Sequence, residues 1–129
     1  MNWFEELPDK CPPDEAEVAS GQSFYRLLNS DVVSENDFIS YKRLFPNREF
    51  RNKECQAAAI SVFSNVEDCL IARKLPAQKN KKKYIGEIIL DNADGVIANT
   101  PNNKFKDHFS WWRSKGFDLT KVKVVEYEK

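Results

Sequence analysis

The chain has 129 residues, of which 41% are hydrophobic, 12% aromatic and 31% charged, and twenty cations balance twenty anions. That length suits one domain with a real core, and four glycines and six prolines exclude a fibrous or linker-rich chain. No apolar run approaches the roughly 18 residues of a membrane span, so no membrane partner is expected.

Residues 1–21 read as an acidic arm, irregular up to Cys11-Pro12-Pro13 and then a short helix from Asp14 to Ala19 closed by Ser20-Gly21. Ser23 to Leu28 is rich in aromatic and aliphatic side chains and predicts a strand, ended by Asn29-Ser30-Asp31. A helix is expected from Ser34, with Phe38, Ile39, Tyr41 and Leu44 at helical spacing and Pro46 as its stop. Glu54 to Ala59 predicts one or two helical turns, leading into a short strand at Ile60-Ser61-Val62-Phe63. Ser64-x-x-Glu67 has the form of a capping box opening a helix that carries Arg73 and Lys74 in its last turn.

The C-terminal half reads as β. Strands are expected over Tyr84–Leu90 and Gly95–Asn99, joined as a hairpin through Asp91-Asn92-Ala93-Asp94, and again at Phe109–Trp112 and Val122–Tyr127. The expected fold is α+β: a single compact domain over 1–129, with a mixed or mostly antiparallel sheet, two to three helices, and those helices mainly on one face.

Charge is unevenly distributed. Residues 1–40 hold nine acids and two bases, residues 41–83 four and eleven, and residues 84–129 seven of each. The acidic arm is expected to fold back over the basic middle; the competing reading has that basic face meeting phosphate groups. Cys11, Cys55 and Cys69 are odd in number and widely spaced, a pattern suited to neither a disulfide framework nor a zinc site. Reduced thiols, a cytoplasmic location and no metal are therefore expected, and the N-terminal Met1-Asn2-Trp3-Phe4-Glu5-Glu6 does not have the form of a secretory signal.

Several residues are candidates for chemistry. His108 is the only histidine, lies beside Asp107, and is a candidate acid or base. Trp111 and Trp112 are adjacent, so in an extended segment their rings face opposite ways; one is expected in the core and the other at a binding surface. Arg26, in the middle of an apolar strand, is placed to grip a carboxylate or phosphate, or to pair with an acid such as Glu87 or Glu126. Ser61 lies just before a strand-to-helix junction, where free N–H groups suit an anion. Lys81, Lys82 and Lys83 belong to a basic loop with only Tyr84 beside it for base stacking, so nucleic-acid binding is not the expected role.

Over Phe24 to Val125, and most of all in Glu54-Cys55-Gln56-Ala57, Ser61-Val62-Phe63 and His108-Phe109-Ser110-Trp111-Trp112, the chain resembles a group of small uncharacterised bacterial proteins. The layout is also similar to the ADP-ribosyltransferase fold. That family has an Arg or His on an early strand, a Ser or Tyr on a strand entering a helix, and a late Glu, often in Glu-x-Glu; Arg26, Ser61 and Glu126 (in Glu126-Tyr127-Glu128) match in order and type. The resemblance implies that Arg26 and Ser61 would hold NAD and Glu126 would orient its ribose. The expected function is a protein-interaction or ligand-binding module that needs no cofactor and works with a protein partner or as a homo-oligomer. A nucleotide-handling enzyme of ADP-ribosyltransferase type, using His108 and Glu126, is the alternative, and nucleic-acid binding through the lysine loop is the second.

Overall fold

A computed structural model describes residues 1–76, 78 and 83–125. Among them, seven strands form one open sheet in which every pairing is antiparallel: β1 (Glu17–Val18), β2 (Gln22–Leu28), β3 (Ile60–Phe63), β4 (Tyr84–Leu90), β5 (Gly95–Asn99), β6 (His108–Arg113) and β7 (Val122–Val125). Their order across the sheet is β1-β5-β6-β3-β2-β4-β7. Three short helices, α1 (Tyr41–Leu44), α2 (Glu54–Ala57) and α3 (Val66–Arg73), and two 3-10 turns complete the fold. The α+β class holds, with the sheet dominant. Among the described residues no helix is long and apolar enough to cross a membrane.

β3, β4 and β5 keep the expected bounds, and β6 extends the expected strand by one residue at each end. The expected hairpin between β4 and β5 does not form: β4 pairs with β2 and β7, while β5 pairs with β1 and β6. The connecting turn is pinned elsewhere. The buried Asp94 carboxylate accepts the Asp91 N–H at 2.7 Å and pairs with Lys121, and the Asp94 carbonyl accepts the Trp111 indole N–H and the Ser114 N–H, both at 3.0 Å. Gly95 then starts β5 at φ +134°, and a Cβ there would lie 2.1 Å from the Trp112 carbonyl oxygen. Only glycine allows that approach.

Two expected helices change. The six residues from Asp14 to Ala19 do not form one; Glu17 and Val18 instead pair with Ile97 and Val96 as an edge strand. So short a helix is costly to nucleate, and the open β5 edge offers ladder bonds. The helix expected from Ser34 is split into a 3-10 turn at Glu35–Phe38 and the single turn α1, with Ile39 and Ser40 extended between them. Ser40 is the reason: its hydroxyl caps α1 by accepting the Arg43 N–H, while its own N–H and O–H donate to the Glu5 carboxylate at 2.9 and 2.6 Å. In α3 the cap is Asn65 rather than Ser64, its side chain accepting the Asp68 N–H at 2.8 Å.

Both faces of the sheet are covered. The larger core joins Phe24, Leu28, Ile60, Val62, Ile88, Leu90, Ile97 and Trp111 with Phe38 and Phe117. On the other face Trp112, Ala59 and Ala98 lie under Trp3, Leu7, Cys11, Ala16 and Cys55. The N-terminal arm thus supplies much of a second core. It is tied down by the Phe4 N–H to the Arg113 carbonyl, by a bridge between Trp3 and Ser114, and by a disulfide between Cys11 and Cys55. The expectation of reduced cysteines, on which a cytoplasmic location rested, is corrected for this pair; only Cys69 is free, and burial pushes its thiol up to about 12.

Candidate functional site

The polar residues singled out along the sheet are bonded into it. β2 and β3 meet in register at a single position, Tyr25 opposite Phe63. Beyond it the Arg26 guanidinium joins them, donating from Nη1 to the Ser61 carbonyl at 2.6 Å and from Nε to the Asp37 carbonyl at 2.7 Å. Burial lowers the Arg26 pKa, opposed by the charges of Tyr41 and Asp37. Two backbone carbonyls therefore engage the Nε and Nη1 donors of Arg26. Ser61 is half-buried and faces Ser110 across the β3–β6 ladder.

His108 is buried at the start of β6. Its Nδ1 lies 2.9 Å from the Thr100 carbonyl, which can only accept, so the proton is on Nδ1. The Thr100 hydroxyl is 2.9 Å from both Nδ1 and the Ser110 hydroxyl, and the Phe63 ring meets the imidazole edge-on. Burial lowers the His108 pKa, helped by the Arg26 charge and opposed by the Thr100 bond. The imidazole is thus a neutral structural donor near pH 7. Arg26, Ser61 and His108 do lie on the neighbouring strands β2, β3 and β6, and Arg26 bonds β2 to β3 while Ser61 lies in the β3–β6 ladder.

The expectation of one exposed indole does not hold. Trp111 is 0% and Trp112 1% exposed. The rings do point to opposite faces, as adjacent strand residues must, but each face has a core. Trp111 packs edge-on against Phe117 at 4.7 Å, and the Trp112 indole N–H donates to the Cys55 carbonyl at 3.0 Å. The segment 108–112 is therefore interior. Glu126, Lys81 and Lys82 lie outside the described residues, and Lys83 donates to the Asn29 side chain.

Among the described residues, three of the exposed large apolar side chains lie together elsewhere, at Tyr41, Leu44 and Phe45. From α1 to the start of α2 the chain reads Tyr41-Lys42-Arg43-Leu44-Phe45-Pro46-Asn47-Arg48-Glu49-Phe50-Arg51-Asn52-Lys53, five cations against one acid. Tyr41, Leu44 and Phe45 are 57%, 44% and 41% exposed. Tyr41 and Leu44 begin and end the single turn α1, and Phe45 is its C-cap. The Tyr41 and Phe45 rings pack at 6.1 Å, and the Arg48 guanidinium covers the Phe45 ring at 4.2 Å.

Alongside lies an open groove of about 320 Å³ lined by Phe4, Glu5, Glu6, Lys42 and Arg43. The Phe4 ring is covered by the guanidinium of Arg113 at 3.6 Å and approached by that of Arg43 at 5.2 Å. Arg113 is buried, donating to the Phe38 carbonyl at 3.0 Å and pairing with Glu35 at 2.6 Å. Lys42 pairs with Glu54 at 2.9 Å, and the hydrogen bond from Lys42 lowers the Glu54 pKa.

From the sequence, Tyr41 and Leu44 are expected on a helix stopped by Pro46 and the rest within the basic segment 41–83, with no binding role for their aromatic side chains. The signal for them was in the sequence: aromatics interleaved with cations, the pattern sought and missed in the lysine loop, recurs at Tyr41, Phe45 and Phe50. No family model matches the chain, and neither a curated protein nor a solved structure was found similar to it.

Proposed function

We propose that the chain is a protein-interaction module whose contact surface is the protrusion 41–53 and the groove beside it. The observation that carries this reading is the exposed trio Tyr41, Leu44 and Phe45 within a ring of cations. An aromatic and aliphatic centre bordered by arginine has the anatomy of a binding hot spot. The bonding of Arg26 and His108 supports it further, because their donors serve the scaffold.

The test is a selection of displayed random peptides on the purified, disulfide-intact chain, followed by mapping of the binders through backbone amide chemical shifts. Shifts centred on 41–53 and on Phe4 to Glu6 are expected. An absence of binders, or shifts centred on 108–112, refutes the reading. The nucleotide-enzyme alternative is checked in parallel by thermal stabilisation with NAD, where a ligand at 100 times its dissociation constant would add about 2.7 kcal/mol.

A further inference from the structure

We infer that the protrusion and groove take an acidic, aliphatic peptide segment of a partner protein, its carboxylates on Arg43, Arg48 and Arg51 and its apolar side chains on Tyr41, Leu44 and Phe45. This names the partner of the surface proposed above and rests on that reading.

Charge is the first argument. Among the described residues, Lys42 is the one cation of the protrusion held in an ion pair; Arg43, Arg48, Arg51 and Lys53 are in none. Pre-organisation is the second. Arg48 lies on the Phe45 ring at 4.2 Å and within 6.0 Å of the Phe50 ring, and Arg43 is 5.2 Å from the Phe4 ring. A stacked guanidinium keeps the N–H groups of its fork free at the edge, already oriented for a two-point grip on a carboxylate. Less side-chain freedom is then lost on binding.

The same observations select a peptide over the other anionic polymers. A nucleic-acid strand binds such surfaces by stacking bases on open ring faces. Here guanidinium groups already lie over the Phe45 and Phe4 rings, and Leu44 offers a base no such face. An anionic lipid surface is flat and uniformly negative, and would meet Glu6 and Glu49 together with the cations. A peptide can place a neutral or basic residue opposite Glu6 and acids opposite the arginines. The mixed signs of the groove, Glu5 and Glu6 facing Lys42 and Arg43, match a ligand of mixed sign.

The experiment reads the composition of the selected peptides and then their affinities. Binders are synthesised with a fluorescein label and titrated by anisotropy against the wild-type chain, Arg48→Glu/Arg51→Glu and Leu44→Ala/Phe45→Ala, at low and high salt. All four substituted positions are exposed, so melting temperatures near wild type are expected and show that each variant is folded. Labelled oligo-deoxythymidylate and phosphatidylserine vesicles are titrated as separate probes. Peptides enriched in Asp and Glu beside aliphatic or aromatic residues, weakened at least tenfold by either double variant and by salt, support the inference. Peptides that need the protrusion but are neutral or basic overturn it and leave the interaction surface standing. Binders indifferent to both variants overturn both. Tighter binding of the oligonucleotide or the vesicles than of any peptide assigns the surface to that partner instead, and the inference fails.

Discussion

Replacing Trp112 with alanine tests the claim that the second face of the sheet is a true core built largely by the N-terminal arm. The ring is 1% exposed, clusters with Ala59 and Ala98 against Trp3, Leu7, Cys11 and Ala16, and donates its N–H to the Cys55 carbonyl at 3.0 Å. A buried tryptophan removes about 150–250 Å² from water, which at about 25 cal/mol per Å² is worth roughly 4–6 kcal/mol. Alanine keeps a little of that, and the arm relaxes over the gap, so a loss of about 3–5 kcal/mol is expected. For a domain of this size that is a fall in melting temperature of roughly 10–20 °C, read by circular dichroism with the disulfide intact. Trp112→Phe, which keeps most of the ring but loses the indole donor, should fall between the two. A Trp112→Ala protein melting within about 2 °C of wild type would refute the reasoning, because the arm would then not be covering that face.

Three further outcomes follow from the same packing. Reducing the Cys11–Cys55 bond, or substituting serine for both residues, removes a closure across 44 positions, for which chain entropy alone gives about 4 kcal/mol; chemical denaturation with and without a thiol reductant measures it, and an unchanged midpoint contradicts the covalent role of the arm. Gly95→Ala drives a methyl group to 2.1 Å from the Trp112 carbonyl at a positive φ, so it should destabilise by more than about 2 kcal/mol or prevent folding, with Gly21→Ala, where the nearest atom is 3.8 Å away, clearly milder. The lowered His108 pKa sets a pH dependence: below about pH 6.5 the unfolded chain takes up a proton that the native imidazole resists, so stability falls as pH drops through that value until the native pKa is reached. His108→Asn retains a donor for the Thr100 carbonyl and should flatten that slope in melting temperatures taken across pH 5.5 to 7, whereas an unchanged slope would place its origin in another group.

Strand periodicity was the most legible feature, and β3, β4 and β5 were readable to the residue because each is a short run rich in β-branched and aliphatic side chains. Pairing was less so, because the order β1-β5-β6-β3-β2-β4-β7 depends on contacts between residues far apart in the chain. The candidate site followed the same division. The composition of 41–53 is visible in the sequence, but its exposure is not, since Tyr41, Leu44 and Phe45 have the helical spacing of a core face. The arm is tied to the basic middle by the Cys11–Cys55 bond, but among the described residues no acid of residues 1–21 forms an ion pair there; Glu5 instead accepts the N–H and hydroxyl of Ser40.

The sequence by itself determined the class of the fold, the bounds of the central strands and the opposed rings of Trp111 and Trp112, because each depends on local periodicity and on the two-residue repeat of a strand. Only the tertiary structure decided whether the second face of the sheet meets water. Trp112 would be a binding residue on an open sheet and is a core residue beneath the arm, and the difference lies in Trp3, Leu7 and Cys11, about a hundred positions away in the chain. The pairing of Cys11 with Cys55, the burial of Arg113 between the Phe4 and Phe117 rings and the use of Arg26 as a bridge between β2 and β3 belong to the same category. Each is a contact between segments that local preference leaves independent, brought together when the chain closes over its remaining apolar face.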